Sequence, residues 1–157
     1  MRKVLLVMVA VVILSVVGCG KAREEASMKA AKVAIEAVQA MIDTYAKDNG
    51  SLIPVPVVPV DPKAKKDSKE VVAPVVVVKA GDEAVALFGL DKTTASAVLN
   101  ELYIIADSTG SYTVVASPKG FKDANVKVWI ANKTFGENYV SKDSVVPEVP
   151  AEAKVNF

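Results

Sequence analysis

Residues 4–17 form an unbroken run without a charged side chain. The run ends at Gly18-Cys19-Gly20, where the polar Lys21-Ala22-Arg23-Glu24-Glu25 begins. As a helix it would reach about 21 Å at ~1.5 Å per residue, short of the roughly 30 Å hydrocarbon core of a bilayer. A run too short to span, preceded by the cationic Met1-Arg2-Lys3 and closed by small residues, has the form of a secretory signal peptide. It divides the chain: residues 1–18 are expected to be removed, and the rest to fold outside the cytoplasm. Cys19 is the single cysteine, so no intramolecular disulfide can form.

Val16-Val17-Gly18-Cys19 resembles the lipobox of bacterial lipoproteins. The resemblance implies that the Cys19 thiol receives a diacylglycerol, that the chain is cut before it, and that the new amine is acylated. Cys19 is then the lipidation site, and membrane lipid is the first partner. Two or more acyl chains hold a protein stably without a transmembrane helix. Gly20 stands where an aspartate often retains lipoproteins in the inner membrane, so the implied destination is the outer membrane if the organism has one. The competing reading is an uncleaved membrane anchor with an incidental cysteine.

The chain has 157 residues, 52% of them hydrophobic and 24% charged. Loss of residues 1–18 removes Arg2 and Lys3 and takes the formal net charge from +1 to −1. Such a surface lacks the basic footprint that nucleic acid demands. The chain has no histidine, which excludes Ser-His-Asp and Cys-His catalysis and the commonest zinc sites. No carboxylates cluster as an acid/base pair, so the expectation is a protein without catalytic residues, metal or cofactor.

From about Ala22 to Lys47 the pattern is helical. Met28, Ala31, Ile35, Val38, Ile42 and Tyr45 recur three and four apart and share one face. Lys29, Lys32, Glu36, Gln39, Asp43 and Lys47 form the polar flank, and Asp48-Asn49-Gly50 supplies a stop. Such a stripe serves either a coiled-coil partner or docking on its own domain, and docking is the expectation here. Residues 51–80 change character to a loop rich in proline, valine and lysine. Ile53-Pro54-Val55-Pro56-Val57-Val58-Pro59-Val60-Asp61-Pro62 is expected to be extended, and Lys63-Ala64-Lys65-Lys66-Asp67-Ser68-Lys69-Glu70 to be solvated. The valine-rich run 71–78 reads as an edge strand or as more linker.

Residues 81–140 read as helix plus antiparallel sheet, one domain with the N-terminal helix of residues 19–50. Gly81-Asp82-Glu83 opens a short helix closed by Gly89, and Asp91 caps a second from Thr93 to about Glu101. Leu102-Tyr103-Ile104-Ile105-Ala106 and Tyr112-Thr113-Val114-Val115-Ala116 flank Asp107-Ser108-Thr109-Gly110-Ser111, a hairpin signature. Val126-Lys127-Val128-Trp129-Ile130 gives a third strand, with Trp129 expected to be buried beneath the terminal segment rather than turned toward a partner. Asn138-Tyr139-Val140 stands at the edge of the fold. Residues 141–157, with Pro147 and Pro150 among Val, Glu and Ala, read as a disordered tail. The fold class is therefore α+β: a long N-terminal helix packed on a small antiparallel sheet of three or four strands.

Ala30-Ala31-Lys32-Val33-Ala34-Ile35-Glu36-Ala37-Val38-Gln39-Ala40-Met41-Ile42-Asp43-Thr44-Tyr45-Ala46-Lys47-Asp48-Asn49-Gly50 resembles the second half of the first helix of type IV pilins and pseudopilins. Residues 112–116 and 126–131 are similar to strands of the pilin sheet. Pilins, however, are cut before a long apolar helix that begins with a Phe and a Glu nearby. Here the apolar run precedes the presumed cut. The resemblance thus implies a pilin-like domain on a lipid anchor, with a structural or interaction role at the cell envelope and an envelope, secretion or pilus protein as partner. The alternative is a pilin or pseudopilin subunit that retains its apolar segment and assembles. Residues 86–102 resemble the helix-turn-helix of winged-helix regulators, but apart from Lys92 they carry few side chains able to reach bases or phosphates. Nucleic acid is therefore not an expected partner.

Overall fold

A computed structural model of the chain describes residues 20–54 and 76–157. The expected signal peptide of residues 1–18, Cys19 and most of the proline, valine and lysine-rich loop lie outside the described residues. Helix α1 (Gly20–Asn49) extends two residues past each end of the expected span. Of the stripe that its periodicity predicts it buries Met28, Ala31, Ile35, Val38 and Ile42, with Tyr45 half-buried at the end, and it buries Ala30 and Ala34 in addition. Its last turn closes with Asn49 Nδ2 donating to the Tyr45 carbonyl at 2.9 Å. Gly50 at φ +70° then breaks the helix, a conformation that glycine adopts without a Cβ penalty. Leu52 and Ile53 follow directly and are both buried, so the chain turns back onto the core.

The rest of the fold is a short edge strand β1 (Val78–Ala80), helices α2 (Gly81–Phe88) and α3 (Lys92–Val98), and four further strands. These are β2 (Leu99–Asp107), β3 (Tyr112–Pro118), β4 (Val128–Ala131) and β5 (Thr134–Glu137). They form one five-stranded antiparallel sheet in the order β1-β2-β3-β4-β5. The architecture is α+β, a long N-terminal helix on an antiparallel sheet. Leu102, Ile104 and Ala106 of β2, Tyr112, Val114 and Ala116 of β3, and Val128 and Ile130 of β4 are all buried in the core with the α1 stripe. Their period of two places them on one face of the sheet. α1 runs antiparallel to β3: Ser27 lies against Gly120 beyond the end of β3, whereas Gln39 and Asp43 lie near Tyr112 at its start.

Local chemistry fixes the turns. Asp107 Oδ1 accepts from the Thr109 N–H at 2.8 Å and from the Ser111 N–H at 3.2 Å, closing the β2–β3 turn. Asp91 Oδ1 accepts from the Thr93 N–H at 3.0 Å and so caps α3. Gly89, left-handed at φ +66°, ends α2.

Four boundaries differ from the sequence reading. α3 stops at Val98 rather than near Glu101, because the Lys119 N–H donates to the Val98 carbonyl at 2.9 Å and draws the next residues into β2. The sheet gains β1 from the end of the valine run. It also gains β5, which follows a tight turn at Asn132 (φ 46°) and Lys133 (φ 70°). Left-handed conformation at both central residues matches the right-handed twist of a hairpin. The fourth difference is the tail. Residues 151–157 were expected to be disordered, but Ala151–Ala153 form a 3-10 turn and Lys154 bridges antiparallel to Tyr103. Ala153 and Val155 are buried, and the Val155 N–H donates to the Leu102 carbonyl at 2.8 Å. The tail is held because it continues the sheet at the β2 edge below β1.

Replacing Ile35 by Ala removes a fully buried side chain from the centre of the helix–sheet contact. The expected loss is about 2–5 kcal/mol of unfolding free energy, measured by urea denaturation against the parent chain.

Candidate functional site

The expected lipidation site, Cys19, lies outside the described residues, but the element it would carry is well defined. The described part of α1 opens at the next residue, Gly20. Lys21, Ala22 and Arg23 are exposed, and the first deeply buried residue of the helix is Met28. At this end Gly120 closes on Ser27; a Cβ on Gly120 would stand 3.0 Å from Ser27 Oγ. Beside it the Phe121 and Tyr139 rings meet edge to face with centroids 5.1 Å apart. Burial raises the Tyr139 phenol above its usual range, and Glu24 and Glu25 of the first α1 turns add to the effect. The end of the domain next to residue 19 is therefore closed by packed aromatic rings.

The face of the sheet turned away from α1 carries the main polar constellation. Cross-strand register aligns Glu101 with Ser117, and Lys127 lies one residue before β4. Lys127 Nζ donates to Glu101 Oε2 at 3.1 Å and also to Ser117 Oγ. Lys154 Nζ, from the tail, donates to Glu101 Oε1 at 3.0 Å and stands 5.9 Å above the centre of the Tyr103 ring. These bonds from Lys154 and then Lys127 hold the Glu101 carboxyl down at about 2, and Glu101 in turn raises the Lys154 ammonium. Glu101 is thus a carboxylate shared by two ammonium groups. The arrangement clamps the tail to the sheet.

A second clamp holds the last residues. Asp82 accepts from Lys92 Nζ at 2.7 Å, from the Asn156 N–H at 3.1 Å and from Asn156 Nδ2 at 2.8 Å. Lys92 Nζ also donates to the Asn156 carbonyl at 2.8 Å. The Lys92 bond first, and then those from Asn156, bring the Asp82 carboxyl to about 2. Next to it Gly81, at φ +51°, has no room for a side chain: a Cβ there would lie 2.5 Å from the Glu152 carbonyl oxygen and 2.6 Å from that of Lys154.

Trp129 is only 7% exposed although it lies on the face opposite α1. Its indole occupies the space of the missing side chain of Gly136, its cross-strand partner; a Cβ on Gly136 would stand 2.3 Å from the ring. Trp129 is buried as expected, but the contact that accounts for it is Gly136 of β5, whereas the terminal segment docks at the β2 edge. Sequence reasoning missed both clamps, because it placed Glu101 in a helix and the tail in disorder. The available signal was the alternation of polar Glu101 and Tyr103 with apolar Leu102 and Ile104.

Among the described residues no three His, Cys, Asp or Glu side chains gather as a metal site, and no helix is long and apolar enough to cross a membrane. No protein family, curated protein or solved structure matches this chain.

Glu101 binds fewer protons in the folded than in the unfolded chain, because its pKa falls from 4.5 to about 2 on folding. Its contribution to stability is therefore present above the ordinary glutamate range and is lost as pH falls through it toward 2. The melting temperature of Glu101→Gln is expected to lie below that of the parent chain at pH 7. The two should converge near pH 2, as read by circular dichroism.

Proposed function

We propose that this chain is a membrane-anchored envelope lipoprotein whose pilin-like domain has a structural or interaction role rather than a catalytic one. The observation that carries the reading is the sequence Val16-Val17-Gly18-Cys19 at the end of the short uncharged run, followed directly by the polar stretch that opens the described part of α1. Acylation at Cys19 would leave little slack between lipid and domain. From Gly20 to Met28 a helix rises about 12 Å, so the packed part of the fold would begin close to the headgroups. The Asp107–Ser111 turn, Gly50 and the Asn132-Lys133 turn would then point away from the membrane as the displayed end. The long helix laid on an antiparallel sheet, together with the Ala30-to-Gly50 sequence resemblance, supports the pilin-like description. An envelope, secretion or pilus component is the partner class this reading implies, and the outer membrane is its destination where one exists.

The rival, favoured by the same helix, is a pilin or pseudopilin subunit that keeps residues 4–17 and assembles. The test is the mass of the N-terminal peptide from membrane-purified protein, beside a Cys19→Ser variant. The expected result is a peptide that begins at acylated Cys19, with the anchor lost in the variant. An unmodified Cys19 still joined to residues 4–17 would overturn the lipoprotein reading in favour of the subunit.

A further inference from the structure

The seat of the C-terminal segment is built to recognise a strand. Leu102 offers its carbonyl to the Val155 N–H, Asp82 takes the Asn156 N–H, and Lys92 donates to the Asn156 carbonyl. Gly81 lets two tail carbonyls approach where any side chain would block them, while Ala153 and Val155 enter the interior. Backbone pairing at an open sheet edge with alternate side chains in apolar seats is a general mode of strand recognition. Every contact named falls within residues 151–156, so nothing in the seat requires the strand to come from the same chain.

The segment that reaches the seat has the properties of an exchangeable arm. Asn138 and Tyr139 are still tied to the domain through Lys127, Asn125 and Phe121; residues 140–150 beyond them contain no helix or strand and, at roughly 3.3 Å per extended residue, reach about 36 Å. They also hold the two most exposed large apolar side chains among the described residues, Val140 at 76% and Val145 at 87%. In one isolated copy these valines stay in water. When two copies exchange arms, the seats keep all their contacts, and Val140 and Val145 lie on the connectors that cross from one copy to the other. Exchange of an identical element is a low-cost route to a dimer for this reason.

We propose that residues 151–157 dock in trans on the β2 edge of a second copy of this chain, giving an arm-exchanged dimer. The inference is independent of the lipid anchor. Two versions of the full chain, both with Cys19→Ser, test it: one carries Tyr103→Cys and the other Lys154→Cys, the two positions paired across the edge. Mixed under mild oxidation, they are expected to form a disulfide heterodimer about tenfold faster, or more, than the Lys154→Cys chain mixed with a Thr109→Cys control, since docking raises the effective concentration of the pair. No acceleration over that control, with the double Tyr103→Cys/Lys154→Cys chain closing only within itself, would overturn the proposal. A second readout needs no cysteine at the seat: the Cys19→Ser chain alone should show a dimer fraction that rises with concentration by light scattering and falls for Val140→Ser/Val145→Ser. A strictly monomeric chain at all concentrations would equally overturn it.

Discussion

The contact between the apolar stripe of α1 and the inner face of the sheet is the constraint on which the fold rests. An antiparallel sheet of short strands cannot stay folded with its apolar face in water, and α1 supplies the second layer. Ile35 and Ile42 meet Val114, Val128 and Ile130 there, and none of them retains measurable solvent contact. The helix could not form stably in isolation either, since most helical stability in proteins comes from packing of an amphipathic face. At the margin of the contact, Lys32 pairs with Glu137 at 2.5 Å and ties the polar flank of α1 to the last strand.

The sheet edges are handled in different ways. β1 covers only the upper part of β2, pairing Val78 with Asp107 and Ala80 with Ile105. The C-terminal segment covers the part below, at Tyr103. Unpaired edge groups invite uncontrolled pairing between chains, and a valine-rich run such as 71–78 adds to that hazard. A tail fastened by Glu101 and Asp82 limits the exposed length while leaving β1 only three residues long. The two clamps are electrostatic and lie near the surface, so they select the position of the segment, whereas Ala153 and Val155 give it an apolar footing.

The legible parts of the chain were those in which a period and a cap agreed. α1 combines a stripe spaced three and four apart with an Asn-Gly stop, and β2 and β3 flank a turn whose Asp107 side chain binds its own backbone. β5 was hidden because its turn uses Asn132-Lys133 in place of the usual glycine pair, and because Gly136 looks like a strand breaker until Trp129 is seen to fill its place. The α3–β2 boundary was obscured by Leu99 and Glu101, whose intrinsic preference for helix is overridden by pairing with β3. The tail misled through composition. Its prolines and glutamates suggest solvation, but Ala153 and Val155, two apart, are the strand period in miniature. Neither clamp can be read from sequence spacing, since Glu101 and Lys154 are joined only by the fold.

The antiparallel alignment of α1 with β3 has a mechanical consequence. A force applied at Gly20 is transmitted along the helix axis, parallel to the strands on which the helix lies. Separation of the two layers would then require Met28, Ile35 and Ile42 to slide past the sheet together instead of peeling away one turn at a time. Loading in shear engages the whole contact at once, so the two layers resist a pull along the helix axis as a unit.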